Sequence, residues 1–442
     1  MAEIDNKEEF VKWFRHSSPY INAHRGKTFV ILFDGDAVED PDFPNLVHDI
    51  ALLNSLGIRL VLVHGARFQI EQSLNAAGLN SQIVNHTRVT DEASLHIVKQ
   101  SIGVVKMQVE AMLSMGVANS PMAGAKIRVV SGNFVTAKPV GVQGGIDFCF
   151  TGNVRRIDTN SIEKHLNDES IVLLSSIGYS PTGEIFSLTA EEVATQTAVA
   201  LKADKLIYLC NNNSITDTND QPIAQLTLNE AKQWLNQHNK SIDWQTSHSM
   251  QSAIEVCSKG VKRAHIVDRH ISGALLLELF SRNGIGTLIS GDTYDTTRQA
   301  TIDDIGGILE LIEPLESDGI LVRRSRERLE MEVTSFTVVE RDGMIIGCAA
   351  LYMYKNENIA ELACLAIDSD YRNEKRGDFL LQGLEANASK QGIKKLFVLT
   401  AKTAHWFIER GFAEAKIDDL PLDKQKMYNY QRRSKVFIKQ LH

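Results

Sequence analysis

From Lys27 to about Ser290, short runs that are apolar at nearly every position alternate with longer stretches whose apolar residues recur every three or four positions. The short runs predict strands at Thr28–Phe33, Arg59–Val63, Ile127–Val130, Ile171–Leu174, Lys205–Leu209 and Arg263–Val267. The longer stretches predict helices over Pro44–Leu56, Phe68–Ala77, Glu92–Met115, Glu191–Leu201, Met250–Ser258 and Gly273–Phe280. Strands alternating with helices imply a mainly parallel sheet sandwiched by helices, and strands covered on both faces need no polar side. The expectation for residues 27–292 is therefore an α/β domain.

Beyond residues 292–297 the register changes. A helix is expected over Ile302–Leu315, then an arginine-rich stretch, Arg323–Arg328. Two strands follow, Thr334–Arg341 and Met344–Tyr354, joined by Asp342-Gly343, a dipeptide suited to a tight hairpin. Ala360–Ile367 and Lys395–Leu399 are further strands, with a helix at Phe379–Gln391 between them and another helix after them. Antiparallel strands followed by strand–loop–helix predict a second, α+β domain over 297–442. Residues 1–26 are expected to be an amphipathic helix carrying Phe10, Val11 and Phe14.

The 442 residues are 43% hydrophobic and 23% charged, the make-up of a soluble globular chain. Forty-seven basic against 55 acidic residues give a net charge of −8, which argues against a general binder of nucleic acid or anionic membrane. Five cysteines, Cys149, Cys210, Cys257, Cys348 and Cys364, form no CxxC pair, so neither a disulfide framework nor a cysteine-rich metal site is expected. Met1–Phe10 is acidic and lacks the apolar core of a signal peptide, and the longest apolar runs are strand-sized, so a cytoplasmic location is expected.

The main chemistry lies in Leu365-Ala366-Ile367-Asp368-Ser369-Asp370-Tyr371-Arg372-Asn373-Glu374-Lys375-Arg376-Gly377-Asp378. A strand enters a loop and then a helix whose first free amides, with Arg372, Lys375 and Arg376 beside them, suit a pyrophosphate. Arg372 and Gly377 match the ends of the Arg/Gln-x-x-Gly-x-Gly/Ala loop of the GCN5-related N-acetyltransferases, although Lys375 stands at the middle glycine. Trp406-Phe407-Ile408-Glu409-Arg410-Gly411-Phe412 resembles that family's closing segment.

The resemblance implies that acetyl-CoA enters between two splayed strands. The backbone around Leu365, Ala366 and Ile367 would hold the thioester, and Arg372, Lys375, Arg376, Gly377 and Asp378 the pyrophosphate. An amine must be neutral to attack, so a carboxylate has to take its proton, and Glu361 on the same strand is the candidate base. Phe407 stands where the family often has a tyrosine that protonates the leaving thiolate, which leaves the acid unassigned, with Tyr428 and Tyr430 as alternatives.

Ile320–Arg326, Lys395–Thr400 and Tyr428–Lys435 resemble the bacterial two-domain N-acetylglutamate synthases, and the likeness spans essentially the whole chain. It implies that L-glutamate is bound through Arg323, Arg432 and Ser434, with Arg324 and Arg433 as alternatives; forked guanidiniums suit a dicarboxylate.

In the first domain, Val61–Ala66, Arg88–Asp91 and Leu201–Leu206 resemble the amino-acid kinase fold, in particular acetylglutamate kinase. The phosphoryl-transfer parts are missing. The first-strand lysine is Leu32, a loop glycine is Asp34, the later lysine is Ala253, and the family's aspartate aligns with Glu191. By contrast, His265–Asp268, Gly273–Phe280 and Gly284–Thr287 resemble the arginine-feedback segment of the arginine-sensitive kinases, implying an L-arginine effector site at His265, Glu278 and Gly284. The first helix, with Trp13, Phe14 and Tyr20, resembles the helix that links those kinases into rings, which implies a homo-oligomer, with a hexamer among the sizes to test.

The sequence thus points to an arginine-regulated acetyltransferase acting on L-glutamate with acetyl-CoA as co-substrate and no metal. Two alternatives remain open: an enzyme that also phosphorylates acetylglutamate, and a non-catalytic arginine-binding regulator.

Overall fold

In the computed structural model the chain divides into two compact units, Met1–Thr293 and Tyr294–His442. The structure describes all residues except 1, 85–86, 116–121, 212–214, 218–220, 239–241, 282–283, 292–295, 342–343, 373–375, 401–402, 427, 429–433 and 442, and the side chains of 2–7, 9, 10, 12 and 370. The Asp342-Gly343 turn, Phe10, Lys375, Tyr430, Arg432 and Arg433 therefore lie outside the described residues or side chains.

The first unit is built on eight strands: β1 (Thr28–Phe33), β2 (Arg59–His64), β3 (Val129–Val130), β4 (Ile171–Ser175), β5 (Lys205–Cys210), β6 (Gln225–Thr227), β7 (Arg263–Asp268) and β8 (Thr287–Ser290). Their order is β6-β8-β7-β5-β1-β2-β4-β3, and all neighbouring pairs are parallel except β7 with β8. Alternation along a strand sends successive side chains to opposite faces. Accordingly Val30 and Leu32 of β1 join one buried cluster and Phe29, Ile31 and Phe33 the other.

A second sheet of four short strands, Val135–Pro139, Gly152–Ile157, Ile177–Tyr179 and Ile185–Ser187, has no counterpart among the predicted elements. These strands are brief and partly polar, so they carry little of the apolar signal that marks the central sheet. The helices that matter below are α1 (Ala2–His24), α2 (Arg67–Ala76), α3 (Ala190–Ala200) and α4 (Ala274–Phe280).

The second unit holds β9 (Thr296–Gln299), β10 (Phe336–Arg341), β11 (Met344–Tyr354), β12 (Ile359–Ile367), β13 (Lys395–Thr400), β14 (Ala413–Ala415) and β15 (Lys435–Gln440), ordered β9-β10-β11-β12-β13-β15-β14. Helix α5 (Ile305–Ser317) packs Ile305, Ile308 and Ile312 on one face, and α6 (Arg376–Lys390) packs Leu380, Leu381 and Leu384 on the other. Every neighbouring pair is antiparallel except β12 with β13, which are parallel and pair only from Ile359–Glu361 to Lys395–Phe397. A fork opens there.

Candidate active site

Beyond Glu361, the side of β12 that faces β13 has no ladder partner among the described residues, although the strand runs on to Ile367. Strands normally satisfy both edges, and an unpaired stretch inside a sheet is a ready template for an extended ligand. On its other side β12 is paired with β11 through a bulge between Cys348 and Ala350. The extra residue is on β12, where Cys364 and Leu365 face Ala349 alone, and Cys364 adopts φ +54°, a left-handed conformation rare for a side chain with a Cβ. Leu365, Ala366 and Ile367 follow on the open stretch.

Glu361 sits at the last rung before the fork, 6% exposed, with its Oε2 2.7 Å from Lys424 Nζ. Its cross-strand neighbour Tyr352 donates its hydroxyl to Glu332 at 2.5 Å, which also takes the Arg328 guanidinium at 2.9 Å. Arg324 lies against Tyr352, Cys364 and Glu332, and its Nε is buried without a hydrogen-bond partner among the described residues. Arg323, by contrast, is exposed. Ser434 is buried just before β15, next to the rung that joins Lys435 to Thr400 at the far end of β13. Its carbonyl accepts the Tyr428 hydroxyl at 2.5 Å.

The loop after β12 leads into α6, which opens at Arg376. Arg372 is exposed, with Nε donating to the Ile367 carbonyl at 3.2 Å. Arg376 is turned inward: it is buried, donates to the Tyr371 carbonyl at 3.2 Å and lies 5.0 Å from the Tyr371 ring centroid. It braces the loop from within. Asp378 accepts from Arg410, whose guanidinium lies 3.9 Å from the Trp406 ring centroid. A Cβ on Gly377 would come within 3.1 Å of Trp406 Cζ2, so the glycine lets the indole close over the helix start. Phe407 is a core residue, edge-on to Trp406 and to Phe412.

The structure also brings together the three residues singled out in the first unit. Glu278 on α4 is 2.6 Å from His265 Nδ1, and its other oxygen accepts the Ile285 and Gly286 amides at 2.8 Å each. Gly284 closes over it: a Cβ there would lie 2.5 Å from Glu278 Oε2. Burial alone would raise the Glu278 carboxyl, but the His265 bond and the two amides hold it down at about 2. Burial and the nearby Lys205 charge push His265 down to about 4. Neutral His265 thus donates from Nδ1 to Glu278 and accepts from Lys205 Nζ, 3.3 Å from its Nε2. α1 is anchored to the same helix: His24 Nε2 is 2.9 Å from the Leu279 carbonyl, and Ser17 donates to the Phe280 carbonyl at 3.2 Å.

At the phosphate corner of the kinase-like unit, Asp34 Oδ1 accepts from the Gly35 amide at 2.7 Å and the Arg67 amide at 3.4 Å. The chain's own carboxylate therefore fills the α2 N-terminus that a phosphate would need. Among the described residues, no group of three or more His, Cys, Asp or Glu could hold a metal, and no helix is long and apolar enough to cross a membrane.

A forked α+β sheet with a carboxylate at the fork and a helix start at its mouth defines an acyl-CoA-dependent N-acetyltransferase, here carried with a kinase-fold unit. Residues 27–268 match the amino acid kinase family and residues 332–414 the acetyltransferase (GNAT) domain. An amino-acid acetyltransferase of Proteus mirabilis is 49% identical over 440 residues, covering 99% of each chain. Its counterpart from Serratia proteamaculans is 49% identical over 439 residues, 99% of this chain and 100% of that one. Among solved structures, N-acetylglutamate synthase from Neisseria gonorrhoeae, complexed with coenzyme A and L-arginine, is 37% identical with a TM-score of 0.88, over 98% of this chain and 99% of that one. The same enzyme complexed with coenzyme A and N-acetyl-glutamate aligns over the same shares with a TM-score of 0.62. The chain belongs to the amino-acid acetyltransferase family.

Proposed function

We propose that the chain transfers the acetyl group of acetyl-CoA to the α-amino group of L-glutamate, giving N-acetyl-L-glutamate and CoA, in the step that opens arginine synthesis in the cytoplasm. The observation that carries this reading is the unpaired stretch of β12 beyond Glu361. Acetyl-CoA lies along it like an added strand, and the backbone amides around Leu365–Ile367 polarise the thioester carbonyl. Glu361 takes the ammonium proton, the amine nitrogen bonds to the carbonyl carbon, and the carbon–sulfur bond breaks with release of the thiolate. Phe407 has no proton to give, and the Tyr428 hydroxyl is already donated to the Ser434 carbonyl, so another donor, Tyr430, solvent or the amine's own proton, serves the thiolate.

For the substrate carboxylates we assign Arg324 in preference to Arg323, because Arg324 is the one turned toward Cys364 with an unused buried donor; Arg432 and Ser434 complete the set. Arg372, Lys375 and the first amides of α6 take the pyrophosphate, with Arg376, Gly377 and Asp378 shaping that corner. L-Arginine is the effector, its guanidinium received by Glu278 beside His265 and Gly284. The exposed Val11, Trp13 and Phe14 of α1 form the contact of a homo-oligomer.

Thiol release from acetyl-CoA with a panel of amino acids tests the reaction; L-glutamate should be the preferred acceptor, and no release with it would overturn the reading. Titration with L-arginine should change the rate in the wild type and not in Glu278→Ala. A response that survives the substitution would move the effector elsewhere.

A further inference from the structure

The kinase-like unit keeps a cavity of about 250 Å³ at the carboxyl ends of β1, β2, β4 and β5. Parallel sheets bind ligands there, beside the point where the strand order reverses, which is between β1 and β5. Asp34 and Glu191 line it; neither carboxyl has an ion pair in direct contact among the described residues, although the Arg67 charge acts on Glu191 from further off. Arg67 and Arg88 also line the cavity, but both guanidiniums reach the same Glu71, at 3.2 and 3.3 Å, and Arg67 rests 4.2 Å from the Trp244 ring centroid. The cleft is thus short of positive charge although two arginines stand at its edge.

Burial, with the Glu191 charge beside it, pushes Asp34 up to about 6, and burial raises Glu191 as well. Half-buried carboxylates without a direct counter-ion cost a fold stability, and a cation brought between them relieves that cost. An anion gains nothing, since Asp34 already occupies the helix start it would use. The apolar wall formed by Leu32, Ile70 and Trp244 suits an aliphatic stem.

We propose that this cleft is a second small-molecule site of the chain, taking a cationic amino acid of about the size of lysine, with its side-chain ammonium between Asp34 and Glu191 and its carboxylate toward Arg67 and Arg88. It shares no residue with the His265–Glu278–Gly284 group and needs none of the phosphate chemistry of a kinase.

Isothermal titration calorimetry of the full-length protein with L-lysine tests it. One binding event is expected at millimolar ligand or below. Charge-assisted hydrogen bonds of this kind are worth about tenfold or more in affinity each, so Asp34→Asn and Glu191→Gln should each weaken binding by at least about that factor. Glu278→Ala should bind L-lysine like the wild type, and Nε-acetyl-L-lysine should not bind. At pH 6 binding should release protons, seen as heats that differ between buffers of unequal ionisation enthalpy. No binding of L-lysine, binding that persists in both carboxamide variants, or loss of binding in Glu278→Ala would each overturn the proposal. The carboxamide variants are expected to fold, because each removes a half-buried charge that has no ion pair in direct contact among the described residues. Should one fail to fold, the Nε-acetyl-L-lysine and buffer comparisons on the wild type decide.

Discussion

Glu278 in the first unit holds its carboxylate 2.6 Å from His265, and Glu361 in the second holds its own 2.7 Å from Lys424. Both are under a tenth exposed. What separates them is the backbone around them. The free oxygen of Glu278 is closed off by two amides, and a glycine turn wraps it. Glu361 stands where two parallel strands part, beside main chain that has no ladder partner among the described residues. Burial and a basic partner are therefore common to both carboxylates. Whether each is held or available to chemistry is read from the hydrogen-bonding groups left unpaired next to it.

The sharpest test of that difference is Glu361→Gln. The amide keeps the shape of the side chain and cannot take a proton, so acetylation of L-glutamate should fall about 10²–10⁴-fold, the range for loss of a general base. Binding of acetyl-CoA should change little, and the thermal midpoint should fall modestly because Lys424 loses its ion pair. A variant with near-wild-type turnover would mean that the fork's carboxylate is structural, like its counterpart in the first unit.

Glu278→Ala should show the reverse pattern. The change strands the His265 Nδ1–H and two amides, one buried and one half-buried, at about 3–5 kcal/mol of stability. Basal turnover without arginine should persist in the folded fraction. Because the folded carboxyl is held at about 2, below its ordinary value of 4.5, its contribution is present above pH 4.5 and fades as pH falls toward 2. The gap in thermal midpoint between wild type and variant should therefore narrow in acid.

Asp34 supplies the opposite sign within the same unit. Its folded value near 6 lies above the ordinary 3.8, so its carboxyl binds a proton more readily in the folded chain. The fold is favoured below pH 3.8 and loses that advantage as pH rises through 6. That gap corresponds to about 3 kcal/mol as an upper figure. Asp34→Asn should raise the midpoint at about pH 7.5 and leave it unchanged near pH 3.5, below both values. A loss in the neutral range would mean that the carboxylate is paired after all.

The central strands of both units were legible because their side chains are apolar on both faces: β1 falls at Thr28–Phe33 as read, and β2, β4, β5 and β7 extend one residue further than read. The four short strands of the second small sheet were not, since Lys138, Asn153 and Arg155 interrupt any apolar pattern. At the fork, Glu361 could be picked from its strand. Lys424 could not, because it is distant in sequence and reaches Glu361 only through the fold. Arg376 shows the limit of charge as a signal. A run of basic residues beside a helix start reads as an anion cradle, yet this guanidinium spends its hydrogen bonds on the loop itself. The Arg323–Arg324 pair has the same lesson in adjacent residues, one exposed and one turned inward. Position along the chain cannot tell them apart, because a one-residue difference decides which side of the backbone faces the core.

The smallest expected effect lies at the mouth of the fork. Gly377 is not forced by its backbone; it is forced by Trp406, whose Cζ2 would be 3.1 Å from an added methyl group. Alanine favours a helix by up to about 1 kcal/mol over glycine, and pushing the indole aside costs a similar amount, so Gly377→Ala should leave the thermal midpoint nearly unchanged. The displaced indole carries Arg410 with it, and Arg410 holds Asp378 in the first turn of α6. Amides that would meet the pyrophosphate are thereby moved by a fraction of an ångström. The KM for acetyl-CoA should rise by about threefold, equivalent to roughly 0.7 kcal/mol, with kcat and the KM for L-glutamate unchanged. Trp406→Phe in the same chain should restore it, since the smaller ring leaves room for the methyl group. A KM that stays high in the double variant would place the glycine's contribution in the ligand's own approach to the backbone, and not in the packing behind it.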